Sequence, residues 1–172
     1  MTWLRWKPTS TSWPSDVTEL RPGDVLLVHG SSFVDAVIRW ATSSVYNHAA
    51  IIASDGVSAV EAQVPVVRKI PASAYAGRAD VWRPQAFAPV VAKAAAARAE
   101  RFVGKSYGWR EVLAAGLWDV AHAPVTWRLR HLDCSGLVFQ SFADVNLLLT
   151  RHPFPAPADL GWSAMLYKVG PL

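Results

Sequence analysis

Residues 132–142 read Leu-Asp-Cys-Ser-Gly-Leu-Val-Phe-Gln-Ser-Phe and contain Cys134, the single cysteine of the chain. The spacing of Val138, Phe142 and Val145 predicts an amphipathic helix that runs to about Asn146, with the cysteine in its first turn. A thiol placed there meets the unpaired N–H groups and the positive end of the helix dipole, both of which favour the thiolate. The bland alternative is an inert core cysteine, which keeps apolar neighbours. Cys134 has Asp133 before it, suited to cap the helix, and Ser135 and Gly136 after it, which keep the approach narrow and unobstructed. These flanks favour a nucleophile.

A nucleophilic thiol needs an imidazole to share its proton and a polar group to orient that imidazole. His48 opens the apolar run Asn-His-Ala-Ala-Ile-Ile, and a strand is predicted over 48–53. Asp55-Gly56 is a two-residue turn signal, and the chain returns through Ser58-Ala59-Val60-Glu61-Ala62-Gln63. That turn pairs Ser54 with Val57, which places Glu61 opposite Ala50 and Gln63 opposite His48, all on one face. Directly opposed residues sit about 4.5–5.5 Å apart and diagonal ones about 7–8 Å. Either Glu61 or Gln63 can then hydrogen-bond the ring and fix its tautomer. A solvated strand face is the competing reading for both.

The other histidines, His29, His122, His131 and His152, show no His-x-x-x-His spacing, and there is no Cys-x-x-Cys. No metal site and no cofactor are therefore expected. The chain lacks a Gly-x-Ser-x-Gly elbow and a phosphate-cradling glycine loop, which argues against a serine esterase and an NTPase.

Composition sets the outer bounds. With 172 residues, 52% of them hydrophobic and 17% charged, the chain reads as one well-cored domain over 21–172. A Trp-rich arm over 1–20, carrying Trp3, Trp6 and Trp13, precedes it. The net charge of +4 gathers partly at Arg101, Lys105, Arg110, Arg128, Arg130 and His131. Without a nucleic-acid motif the bland reading is a solvated face and the functional one an attraction to an anionic substrate or polymer, and no nucleic-acid partner is expected. A lone cysteine excludes an intrachain disulfide and a cysteine-based zinc cluster. Residues 1–20 hold no apolar signal-peptide core. The longest apolar run, Val112–Ala121, contains Asp119 and falls well short of the roughly 20 residues of a membrane span. Localisation and oligomeric state stay open.

The turn Arg21-Pro22-Gly23-Asp24 launches a first strand, Val25–His29, followed by a helix predicted over 32–43 through Phe33, Val34, Val37, Ile38 and Ala41. Further strands are predicted over Val64–Ile70 and Ala79–Arg83. A helix is predicted over Pro89–Val103, with Val91, Ala95, Ala99 and Phe102 as its stripe, and another over 109–121. Pro153, Pro155 and Pro157 form a loop before a closing turn near Asp159–Ala164. A helix, antiparallel strands and then helices make an α+β domain.

The residues carry a family likeness. "LDCSGLVFQSF" resembles the nucleophile helix of the NlpC family of cell-wall peptidases, and "GKSYGW" resembles the Gly-x-x-Tyr-x-Trp segment that precedes it there. In that family the histidine follows the cysteine by several strands. Here the chain after Cys134 is short and reads as helix and Pro-rich loop, so the barrel strands are expected upstream. The ordered set "LRPGDVLLVHG", "VIRWATSSVYNHAAII", "AVEA" and "GKSYGW" resembles the circularly permuted branch, which holds YiiX-type papain-like amidases and, more distantly, the lecithin–retinol acyltransferase group. The likeness spans about residues 20–165.

That resemblance implies a permuted papain-like fold, an antiparallel sheet or half-barrel packed against the nucleophile helix. It implies Cys134 as nucleophile, His48 as general base and acid, and Glu61 as third residue. Tyr107 would line the site or its oxyanion side, with Gln63 and Ser135 as further substrate or oxyanion candidates. The gap from Tyr107 to Cys134 is longer than in the unpermuted peptidases, and the apolar insertion at 112–121 can form a lid or an acyl-binding wall. The implied chemistry is a thiol amidase or endopeptidase acting through an acyl-thioester on a peptidoglycan stem peptide or a related peptide. Acyl transfer or hydrolysis on a lipid or N-acyl substrate is the second expectation, and an inactive binding module the third.

Overall fold

The turn Arg21-Pro22-Gly23-Asp24 anchors the sheet to the helical layer. Gly23 has φ +86°, and an added Cβ would lie 2.3 Å from the carbonyl oxygen of Ala92. Only glycine fits both the backbone angle and the approach. Its N–H donates to the Ile52 carbonyl at 2.9 Å, tying the turn to a neighbouring strand. Asp24 is 1% exposed and accepts a two-point contact from the Arg83 guanidinium, Nε at 2.8 Å and Nη2 at 2.7 Å.

The computed structural model of the protein describes residues 19–29, 45–85, 89–106, 133–152 and 155–172. Residues 1–18 of the arm, the helices expected over 32–43 and 109–121, the insertion at 112–121, Tyr107, His122, Pro153 and the basic residues Arg110, Arg128, Arg130 and His131 lie outside the described residues. The described strands are β1 (Val25–His29), β2 (Tyr46–Ile52), β3 (Ser58–Gln63), β4 (Val66–Pro71), β5 (Ala79–Pro84) and β6 (Leu166–Pro171). They form one six-stranded sheet in the order β4-β3-β2-β1-β5-β6, with all neighbours antiparallel. The helices are α1 (Pro89–Glu100), α2 (Cys134–Ala143) and the short α3 (Pro157–Gly161). This is a mixed α+β architecture.

The β2–β3 hairpin has the register that Asp55-Gly56 predicts: Ala50 faces Glu61, Ile51 faces Val60 and Ile52 faces Ala59. The mechanism is local. The Asp55 carboxylate accepts the N–H groups of Val57 at 3.0 Å and Ser58 at 2.8 Å, and Gly56 takes φ +73°. β4 begins at Val66, two residues later than expected, because Val64 and Pro65 make the turn between β3 and β4.

Both sheet faces are covered, which is why β1 reads as an unbroken apolar run and not as an alternation. On one face Val25, Leu27, Ala49, Ile51, Val60 and Ala62 pack against Ala92, Ala95 and Ala99 of α1 and Leu137, Val138 and Phe142 of α2. On the other, Leu26, Val28, Ala50, Ile52, Ala59 and Val81 pack with Ala72 and Tyr75 of a 3-10 turn, Ala72–Tyr75. The inward face of α1 keeps Ala95 and Ala99 of the predicted stripe, with Phe102 buried just past the helix end, and adds Ala92 and Ala96, whereas Val91 is only half-buried. Alanines at the contact let the helix approach closely, as the Gly23–Ala92 contact shows.

One strand contradicts the expectation that the sheet is complete before Cys134. β6 follows α2 and pairs with β5 at the sheet edge. Its partners lie on one side only, and it ends in Gly170 and Pro171, composition that reads as a turn and that edge strands tolerate. Near its base, Asp80 of β5 gathers three donors at one carboxylate oxygen: Tyr46 hydroxyl at 2.7 Å, Lys168 Nζ at 2.8 Å and His29 Nε2 at 3.0 Å. This buried carboxylate links β1, β2, β5 and β6 at the end of the sheet where His48 stands.

Candidate active site

Three elements converge on one imidazole. His48 lies near the start of β2 and pairs with Val28 of β1, so it shares a face with Ala50, Ile52 and the facing Glu61 of β3. The Glu61 carboxylate, 2% exposed, reaches diagonally across the hairpin and places Oε2 2.6 Å from His48 Nε2. Cys134 is the first residue of α2, and its side chain acts on the same ring, favouring its charged form. With Nε2 committed to Glu61, Nδ1 is the nitrogen left to meet the thiol.

The helix start is built as the flanking residues suggest. Asp133 caps α2 by accepting the Gly136 N–H. Gly136 is needed there, since a Cβ on it would lie 2.4 Å from the Asp133 carboxylate. Cys134 is partly exposed and the His48 side chain 19% exposed, so neither is sealed in the core.

The electrostatics follow from this packing. Burial works against charge on the ring, but hydrogen bonding and Coulomb attraction to Cys134, joined by those to Glu61, prevail and push the His48 imidazole up to about 10. Burial alone would raise the Glu61 carboxyl. The donors His48, Tyr75 and Arg68 outweigh it and hold Glu61 down at about 2. The ring thus favours its protonated form, set between Cys134 and an ionised Glu61 carboxylate. It can deliver a proton to one side while the other side is held.

Of the remaining candidates, Gln63 and Ser135 are not joined to this group. Gln63 is exposed and accepts from Arg68 Nη2, away from the imidazole. Ser135 is 2% exposed, so its hydroxyl faces the interior and not an open site. Tyr107 lies outside the described residues. Two residues that no sequence motif marks touch the group. Arg68 Nε donates to Glu61 Oε1 at 2.8 Å, and the Tyr75 hydroxyl donates to Glu61 Oε2 while lying 3.2 Å from His48 Nε2. Arg68 was findable: the Val64-Pro65 turn sets it directly opposite Glu61, an oppositely charged cross-strand pair. Tyr75 carries no local signal.

No protein-family model matches the chain, and no curated protein matches it. Among solved structures the chain is similar to that of the metalloprotein yiiX from Escherichia coli O157:H7, with a TM-score of 0.70 and 17% identity over 90% of this chain and 98% of that one. At that identity the likeness is one of fold, and the sheet with its helices is YiiX-like. Among the described residues no group of three or more His, Cys, Asp or Glu side chains is placed to hold a metal ion, and no helix is long and apolar enough to cross a membrane.

Proposed function

We propose that the protein is a cysteine-dependent hydrolase that cleaves an amide bond in a cell-wall stem peptide or related small peptide through an acyl-thioester. The observation that carries this reading is the single imidazole shared between the Cys134 thiol and the buried Glu61 carboxylate. The ordered motifs resembling the permuted NlpC branch supply the substrate class.

Cys134 is the nucleophile. Its sulfur attacks the amide carbonyl, the C–N bond breaks as His48 passes its proton to the leaving amine, and the acyl group stays on sulfur as a thioester. His48 then takes a proton from water, the resulting hydroxide displaces the thiolate, and the acid is released. Backbone N–H groups at the start of α2 are the oxyanion donors, each worth roughly 3–4 kcal/mol in the transition state. Glu61 keeps the ring oriented with its Nε2–H held, which leaves Nδ1 to work on the thiol. The fold neighbour is described as a metalloprotein, but the donors among the described residues do not fit a metal ion, and every step here runs through the thiol and the imidazole.

Acyl transfer or hydrolysis on a lipid or N-acyl substrate is the second reading, favoured by the apolar run Val112–Ala121 between Tyr107 and Cys134. Incubation with purified muropeptides and, separately, with fluorogenic acyl esters tests the choice. Muropeptide cleavage that Cys134→Ala abolishes, with the fold intact, supports the first reading. Turnover of the esters alone moves the assignment to the second, and full activity in Cys134→Ala ends both.

A further inference from the structure

We infer that Tyr75 and Arg68 form a clamp that positions Glu61, so that the third residue of the site is oriented by the 3-10 turn and by β4 as well as by its own strand. This rests on the catalytic reading above and deepens it.

Each Glu61 oxygen has its own holder. Oε1 accepts Arg68 Nε at 2.8 Å from the solvent side, where the Arg68 side chain is half exposed. Oε2 accepts the Tyr75 hydroxyl from the interior, where Tyr75 is 4% exposed, and lies 2.6 Å from His48 Nε2. A carboxylate gripped at both oxygens cannot rotate away from the ring. Tyr75 is itself fixed: the Arg78 guanidinium stacks 5.5 Å from its ring centroid while Arg78 Nη2 donates to the Ala74 carbonyl at 2.9 Å.

The proton inventory shows what the clamp accomplishes. The tyrosine has one hydroxyl proton, and it is given to Glu61. The 3.2 Å separation from His48 Nε2 therefore brings no second donor to that nitrogen, which keeps its own hydrogen for the carboxylate. Were the phenol free to donate to Nε2, the ring's hydrogen would be displaced to Nδ1, the nitrogen that must serve the thiol. Once the ring has given up its Nδ1 proton, the clamp thus favours the neutral tautomer with its hydrogen on Nε2, and both holders act on the imidazole only through Glu61. Three donor contacts to one buried carboxylate also make it a poor base. It orients the imidazole and does not take its proton.

The test is a double-mutant cycle read by the rate at which iodoacetamide alkylates Cys134, followed over a range of pH, which needs no knowledge of the substrate. Tyr75→Phe and Arg68→Gln should each lower the rate roughly tenfold, the size expected when a hydrogen bond to a charged group is lost. In a Glu61→Gln background neither should lower it further. Releasing either oxygen makes Glu61 easier to protonate, so the acid limb of the rate profile should move to higher pH in both single variants. A purely structural role would not move that limb. Arg68 is half exposed, so its variant keeps the test open even if Tyr75→Phe folds poorly. His48→Ala is the control. A rate unchanged by His48→Ala overturns the catalytic reading and the clamp together. A rate lowered by His48→Ala yet unchanged in both clamp variants, or equal losses with and without Glu61, overturns the clamp alone.

Discussion

His48 Nε2 and Glu61 Oε2 lie 2.6 Å apart across the β2–β3 hairpin, although Glu61 pairs with Ala50 and not with His48. The contact is diagonal. It exists because the glutamate side chain is long enough to cross one residue pair and because two other groups hold its carboxylate in place.

Glu61→Gln should preserve the fold and lower turnover by roughly a hundredfold to ten-thousandfold, because an amide in that position can present N–H to the ring and select the wrong tautomer. Steady-state kinetics on the substrate that the wild type turns over checks this, with the loss expected in kcat more than in KM.

Asp24→Ala should destabilise the protein by about 3–5 kcal/mol, since it leaves the Arg83 guanidinium without its buried partner. Urea denaturation measures it. An Asp24→Ala/Arg83→Met double variant should recover much of the loss.

Gly23→Ala should cost about 3–5 kcal/mol, combining a strained positive φ with a steric collision against the Ala92 carbonyl. A thermal melt reads the effect, and an unchanged midpoint would mean that the turn does not approach α1 as closely as described. Gly77, which also has positive φ, has nothing within 4 Å of an added Cβ. Alanine there should cost only the backbone strain, about 1–3 kcal/mol.

Stability should depend on pH through the site itself. The His48 value is raised from 6.5 to about 10, so its contribution is complete below 6.5 and is lost as pH climbs through about 10. Glu61 is lowered from 4.5 to about 2, so its contribution is present above 4.5 and is lost as pH falls through about 2. Urea midpoints across pH should therefore show the wild type losing stability relative to His48→Ala on the alkaline side, and relative to Glu61→Gln on the acid side.

Much of this site is legible before any coordinates. Asp55-Gly56 sets the hairpin register through a side chain that binds its own turn, and that register brings His48 and Glu61 to one face. Asp133 and Gly136 mark the start of α2 by a cap whose geometry is local. The choice of Glu61 over Gln63 is not legible from the hairpin alone, because it depends on β4, where Arg68 occupies Gln63 and secures Glu61. Tyr75 was missed because a buried phenol on a 3-10 turn looks like any core aromatic, and its role comes from a tertiary contact. β6 was missed because an edge strand with Gly170 and Pro171 has little pattern of its own and takes its pairing from β5. Of the predicted stripe on α1, Ala95, Ala99 and Phe102 are buried and only Val91 lies at the margin, because a nearly all-alanine segment has little polar face to fix its exact orientation.

The central claim is that Cys134 and His48 act on one proton, and it is tested most directly by NMR titration of the His48 ring in the wild type and in Cys134→Ala. Hydrogen bonding and charge attraction from Cys134 are the largest influences raising the His48 value. The account predicts that the wild-type ring stays protonated well above neutral pH and that Cys134→Ala loses its proton at distinctly lower pH, with Glu61 retaining part of the elevation. Identical titrations in the two proteins would contradict it.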